Sequence, residues 1–170
     1  MAQKLSVDDL AGLVKEVQLL KDKAEIRETL TRYWFGVDRR EPAVAASVMT
    51  PDGHYGNLHG REELERLMQR ALPGYECLQH CFASSEIEVD GDTATADTMA
   101  VGFALGDNAD GERRVFARGL RYVDTLVRTE EGWRITERVG SDDREVGHDT
   151  FWQFEGVATE VWHPKPEAQA

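Results

Sequence analysis

The spacing of apolar residues changes once along this chain, from a period of three and four to a period of two, and that change limits what it can fold into. From Ser6 to Leu20, the residues Leu10, Leu13, Val14, Val17 and Leu20 keep helical spacing; Ile26, Leu30, Tyr33, Trp34 and Val37 then resume it. The charged run Lys21 to Lys23 separates the two stripes, and Asp22 followed by Glu25 has the form of a capping box. Two helices in tandem are therefore expected, the second loosening over Gly36 to Arg40. A short helix from Pro42 through Met49 should be stopped by Thr50, Pro51, Asp52 and Gly53, and another helix should run from Arg61 to Leu72.

Beyond Pro73 alternation takes over. Asp90-Gly91, set between Glu86–Val89 and Thr93–Ala96, predicts a tight hairpin. Thr93 to Leu105 and Arg113 to Val127 read as long strands around a polar loop at Asp107 to Gly111, and Trp133 to Val139 closes the meander after the turn Glu130-Glu131-Gly132. Helices first and a long antiparallel sheet afterwards define an α+β fold, with the sheet free to curl around the helices. A length of 170 residues suits one domain, divided into an N-terminal helical extension (1–21), a core (22–140) and a tail (141–170). Phe151, Trp152, Phe154 and Trp162 make that tail unusually apolar, so it is expected to be buried, as a lid, as an arm on a neighbouring subunit or equally as core filling.

Charge and motifs exclude several functions. A formal net charge of -12, from 32 acidic and 20 basic side chains, disfavours nucleic acid and anionic membranes as partners. No stretch nears the roughly 20 apolar residues that span a bilayer. Cys77 and Cys81 are too few for a disulfide framework, and the expected location is the cytoplasm. Phosphate-binding loops, dinucleotide fingerprints, zinc-protease motifs and serine nucleophile elbows are all missing from the sequence. Neither Cys77, His80 and Cys81 nor His54 and His59 match a usual zinc spacing, so no metal is expected.

Proton-transfer chemistry remains, with Tyr33, Asp38 and His80 as its candidates. Each also has a plain structural explanation. Asp38 reads equally as a solvated cap or a partner of Arg39 and Arg40, His80 as a satisfied structural histidine, and Tyr33 as part of the apolar stripe. Ideal helix geometry sets Tyr33 and Asp38 about 140° apart, so both face one cavity only if the helix loosens near Gly36. Tyr55 and His59 are candidates for the pocket mouth or for an exposed turn. Pocket shape is expected to depend on residues such as Phe35, Met49, Leu58, Phe82, Met99, Phe103 and Phe116.

The stretches Ala24-Glu25-Ile26-Arg27-Glu28-Thr29-Leu30-Thr31-Arg32-Tyr33, Gly36-Val37-Asp38-Arg39-Arg40, Leu78-Gln79-His80 and Gly132-Trp133-Arg134-Ile135 resemble the SnoaL-like branch of the nuclear transport factor 2-like superfamily. The nearest patterns are those of the group holding scytalone dehydratase, hexachlorocyclohexane dehydrochlorinase and bile acid 7α-dehydratase. The resemblance implies a cone-shaped α+β barrel, a curved mixed or antiparallel sheet wrapped around N-terminal helices with an internal pocket, often in a homotrimer. It also implies a cofactor-independent lyase acting on a small apolar cyclic or aromatic substrate, with an Asp38–His80 dyad and an assisting Tyr33. Elimination and retro-aldol release of a small carbonyl both fit; an isomerase or polyketide cyclase with the same base, or a non-catalytic ligand-binding module, is the alternative. The group's arginine beyond the last-strand tryptophan falls at Asp142 here. Arg138 and Arg144, which share the side-chain parity of position 142, are the assisting candidates.

Overall fold

The computed structural model describes residues 6–107, 111–140 and 153–157. It begins with one helix, α1 (Val7–Asp38), in place of the two expected. Ser6 and Asp9 form a reciprocal capping box at its start, with each side chain accepting the other's backbone N–H. The helix runs through Lys21–Lys23 without a break, and what changes there is which side is apolar. At 100° per residue the stripe Leu10, Leu13, Val14, Val17, Leu20 lies about 160° around the axis from the later stripe. The first stripe is exposed, whereas Ile26, Leu30, Tyr33, Trp34 and Val37 are buried in the core. Asp22 is not a cap: it is buried mid-helix, where it accepts from Arg128 Nη1 at 2.8 Å and ties α1 to the sheet.

The second helix, α2 (Pro42–Ala46), ends sooner than expected, and Met49–Tyr55 forms strand β1. Pro51 does not stop the chain from being a strand because it lies in the irregular stretch between Met49 and His54, where the pairing with the last core strand skips register. Strand β2 (Leu58–His59) and helix α3 (Arg61–Ala71) follow, then a 3-10 turn over Leu72–Gly74. The long strands are β3 (Cys77–Asp90), β4 (Thr93–Asp107), β5 (Arg113–Thr129) and β6 (Gly132–Gly140). The Asp90–Thr93 hairpin forms as the sequence suggests.

Sheet order is β2-β1-β6-β5-β4-β3, antiparallel throughout except for the parallel pair β1–β6. Strand β7 (Gln153–Val157) pairs with Arg114–Arg118 of β5, beside the stretch Tyr122–Thr129 that pairs with β6. It is the described part of the expected tail; Arg144, Phe151, Trp152 and Trp162 lie outside the described residues. The result is the expected α+β cone, with α1 in the concavity of a mixed, curved sheet. Small inward residues on β4, Ala94, Ala96 and Ala100, leave room for the helix, and Thr29 Oγ1 donates to the Trp133 carbonyl to fix it against β6. No helix among the described residues is long and apolar enough to cross a membrane.

Two glycines of α1 give opposite predictions. A Cβ on Gly36 would lie 2.4 Å from Ala45 N and 2.7 Å from its Cα, so α1 and α2 meet backbone to backbone there. A Cβ on Gly12 would meet nothing within 4 Å. In chemical denaturation, Gly36→Ala should destabilise by about 1–3 kcal/mol through overpacking, whereas Gly12→Ala should stabilise by about 0.5–1 kcal/mol.

Candidate active site

Asp38 is the last residue of α1, and its carboxylate reaches across to β3. Oδ2 accepts the His80 backbone N–H at 2.9 Å, and Oδ1 lies 2.6 Å from His80 Nδ1. A carboxylate at that distance accepts, so the neutral imidazole carries its proton on Nδ1 and leaves Nε2 with a lone pair. The pair is only slightly exposed, 12 % for the His80 side chain and 19 % for Asp38. Trp34 stacks on the imidazole with centroids 4.7 Å apart. On the neighbouring strand Gly102 is the residue opposite His80, and a Cβ there would lie 3.0 Å from both Nε2 and Cδ2 of the ring. Glycine at this position is what lets the imidazole lie over β4.

His80 and Tyr33 line a cavity of about 670 Å³, and Asp38 does not. This removes the difficulty of the 140° between Tyr33 and Asp38. The helix need not loosen, because Asp38 stands behind His80 and only Tyr33 and His80 face the hollow. Apolar walls come from Val37, Leu72, Leu78 and Leu120, and Phe103 and Phe116 contribute as expected. Of the other residues expected to shape the pocket, Met49 is buried in the core while Phe35 and Met99 are exposed.

Beside the dyad lies a feature that the sequence reading missed. Tyr122, on β5, lines the same cavity, accepts a 3.0 Å hydrogen bond from Tyr55 and stacks on Trp34. The guanidinium of Arg138 sits 4.3 Å from the ring centroid of Tyr33 and 4.5 Å from that of Tyr122. Asp124 binds Arg138 through two hydrogen bonds of 2.7 and 2.8 Å, and the pair is almost wholly excluded from water. Arg138 thus lies beneath the tyrosines and not on the cavity wall. Asp124 could have been suspected from the sequence, because it shares strand parity with Leu120, Tyr122 and Leu126, and an acid on an apolar face needs a cation. Tyr55 supports this network from β1. His59 is exposed and outside the cavity, with its Nδ1 2.8 Å from that of His54.

The phenols are held protonated. Burial is the main cause for Tyr33, Tyr55 and Tyr122, and it pushes each well above the ordinary tyrosine range. The Arg138 charge opposes that rise without reversing it. Desolvation works against the Arg138 cation, but the charge and hydrogen bonds of Asp124 outweigh it, and Arg138 stays charged. The cavity therefore presents an imidazole lone pair and neutral phenol donors inside an apolar hollow. Among the described residues, no three His, Cys, Asp or Glu side chains are grouped to hold a metal ion.

A curved sheet wrapped around a helix, with phenols and an Asp-backed imidazole lining its hollow, defines the cone-shaped class built around an internal cavity. The chain belongs to the SnoaL-like domain family, whose model matches residues 18–139. An uncharacterized protein of Mycobacterium tuberculosis is 30% identical over 126 residues, covering 71% of this chain and 84% of its own length. Among solved structures, an NTF2-like protein with a cystatin-like fold from Novosphingobium aromaticivorans is 28% identical, covers 84% of this chain and 99% of its own, and superposes with a TM-score of 0.62. A type 2 hexachlorocyclohexane dehydrochlorinase shares the fold with a TM-score of 0.69 at 18% identity, covering 88% of this chain and 98% of its own. A candidate scytalone dehydratase from Novosphingobium aromaticivorans shares it at 0.63 and 14%, covering 92% and 99%.

The buried phenols predict an alkaline limit to stability. Their folded pKa values are raised, so the folded state keeps protons that the unfolded chain gives up above about pH 10. Stability is full below that pH and falls as pH rises through it, by up to about 1.4 kcal/mol per pH unit for each buried tyrosine. Tyrosinate absorbance should then appear together with loss of far-UV signal, and Tyr122→Phe should make the fall shallower.

Proposed function

We propose that this protein is a cofactor-independent lyase that removes a carbon-bound proton from a small, apolar, cyclic or aromatic carbonyl compound. The observation that carries this reading is the 2.6 Å contact of Asp38 with His80 Nδ1, behind an imidazole that lines an apolar cavity. Asp38 sets the tautomer and compensates the imidazolium as it forms, so Nε2 is the base. The C–H electron pair moves into an enolate, to whose oxygen the neutral Tyr33 hydroxyl, with Tyr122 beside it, donates a hydrogen bond. Expulsion of a β-hydroxyl then uses the enolate electrons to form C=C, and the imidazolium returns its proton to the departing oxygen as water. In retro-aldol release His80 instead takes the proton of the β-hydroxyl, the C–C bond breaks to give a small aldehyde and an enolate, and the imidazolium returns that proton to the enolate carbon. Each course balances without an oxidant or a metal.

The dehydratase and dehydrochlorinase names among the structural neighbours support elimination as the reaction class. Arg138, sealed under the tyrosines, is suited to hold Tyr33 and Tyr122 in place and does not line the cavity where a leaving group would depart. That position favours, as a second reading, an isomerase or cyclase that keeps every substrate atom. Product mass separates the courses: loss of water, loss of a small aldehyde, or no change.

The base can be tested before the substrate is known. Bicyclic aryl ketones in deuterium oxide should exchange the proton α to the carbonyl, observed by proton NMR. His80→Ala and Asp38→Asn should each slow that exchange by about 10²–10⁴-fold while the thermal transition persists. Exchange at the wild-type rate in His80→Ala removes the imidazole from the chemistry. If the wild-type protein binds these ketones without exchanging them, a non-catalytic binding module is indicated.

A further inference from the structure

The first half of α1 carries an apolar face that the described residues leave uncovered. Leu10, Leu13, Val17 and Leu20 are 47 %, 49 %, 55 % and 68 % exposed, and Val14 beside them is 67 % exposed. Leu10, Leu13, Val17 and Leu20 are spaced three, four and three, which places them at successive a and d positions of two heptads. We infer that this stripe is a self-association surface, and that its occupant is the same stripe of a second copy of this chain in a parallel two-stranded coiled coil.

Three observations support this occupant. The face of α1 that packs on its own sheet, centred on Asp22, Ile26, Thr29 and Tyr33, points about 160° away from the stripe. Two helices can therefore meet along it with both domains on the outside. Valine at the a position of residue 17, with leucine at both d positions, favours two strands over three. Charge complementarity sets the direction. With Leu10 at a, Glu16 falls at g and Lys21 at the following e, so a parallel pair opposes Glu16 of each helix to Lys21 of the other. An antiparallel pair would set g against g, and so Glu16 against Asp9 or another Glu16. Within one chain Lys21 lies 3.8 Å from Glu25, in an exposed contact.

Two heptads alone would be marginal in water. Here each helix is already nucleated by its second half, which is packed into the sheet, and closed at the other end by the Ser6–Asp9 box. Arg27 at the next d position ends the seam.

The test is the mass of the full chain in solution, by light scattering on a sizing column and by sedimentation equilibrium. The wild type should have twice the chain mass of 19.1 kDa. Leu13→Asp and Val17→Glu, both at exposed positions, should give monomers with an unchanged thermal transition of the core. Glu16→Lys and Lys21→Glu should each weaken association, and the two together should restore it. A monomeric wild type, or an assembly that survives Leu13→Asp, overturns the surface. Assembly of three or more copies, or failure of the double charge swap to restore it, overturns the parallel two-stranded arrangement. The outcome is independent of the cavity's chemistry.

Discussion

One carboxylate joins the two halves of this molecule. Asp38 terminates α1 and accepts both the backbone and the ring N–H of His80 on β3, which are 42 positions further along the chain. A carboxylate so little exposed would be costly to bury without such donors, so the contact is structural and chemical at once. It fixes how far α1 enters the sheet. It also fixes which nitrogen of the imidazole is bare. Trp34 and Gly102 hold the ring from either side, one by stacking and the other by leaving space.

The tyrosine–arginine cluster follows from the same constraint of placing polar groups in an apolar hollow. Arg138 could not be buried alone; Asp124 supplies its counter-charge, and the faces of Tyr33 and Tyr122 cover it. The phenols gain in turn a positive neighbour that partly offsets the effect of burial on their acidity. Their hydroxyls remain neutral and line the same hollow as the His80 imidazole. Imidazole and phenols thus come from different elements, β3 for one and α1 with β5 for the other. The curvature of the sheet brings them to one wall.

Much of this was legible in the sequence, and the exceptions have physical causes. The hairpin at Asp90-Gly91 and the long alternating strands were readable because turn chemistry and side-chain period agree there. The stripe change at Lys21–Lys23 looked like a helix break because an apolar face that switches sides is normally one helix ending and another beginning. Met49–Tyr55 was hidden by Pro51 and Gly53, which a bulged strand tolerates. The spacing of Asp38 and His80 carried no information about their meeting, since a separation of 42 positions can place them anywhere; only the family resemblance pointed to the pair. Arg138 is buried but off the cavity wall; an acid on the apolar face at Asp124 called for a cation, but nothing local showed that three tyrosines would cover the pair.

Asp38 leaves His80 with a bare Nε2 in the cavity. Nitrogen-15 correlation spectra of the histidine rings, recorded where the imidazole is neutral, read that directly. His80 should show the Nδ1–H tautomer in the wild type and lose it in Asp38→Asn. A wild-type ring protonated on Nε2, or one unaffected by that substitution, would contradict it.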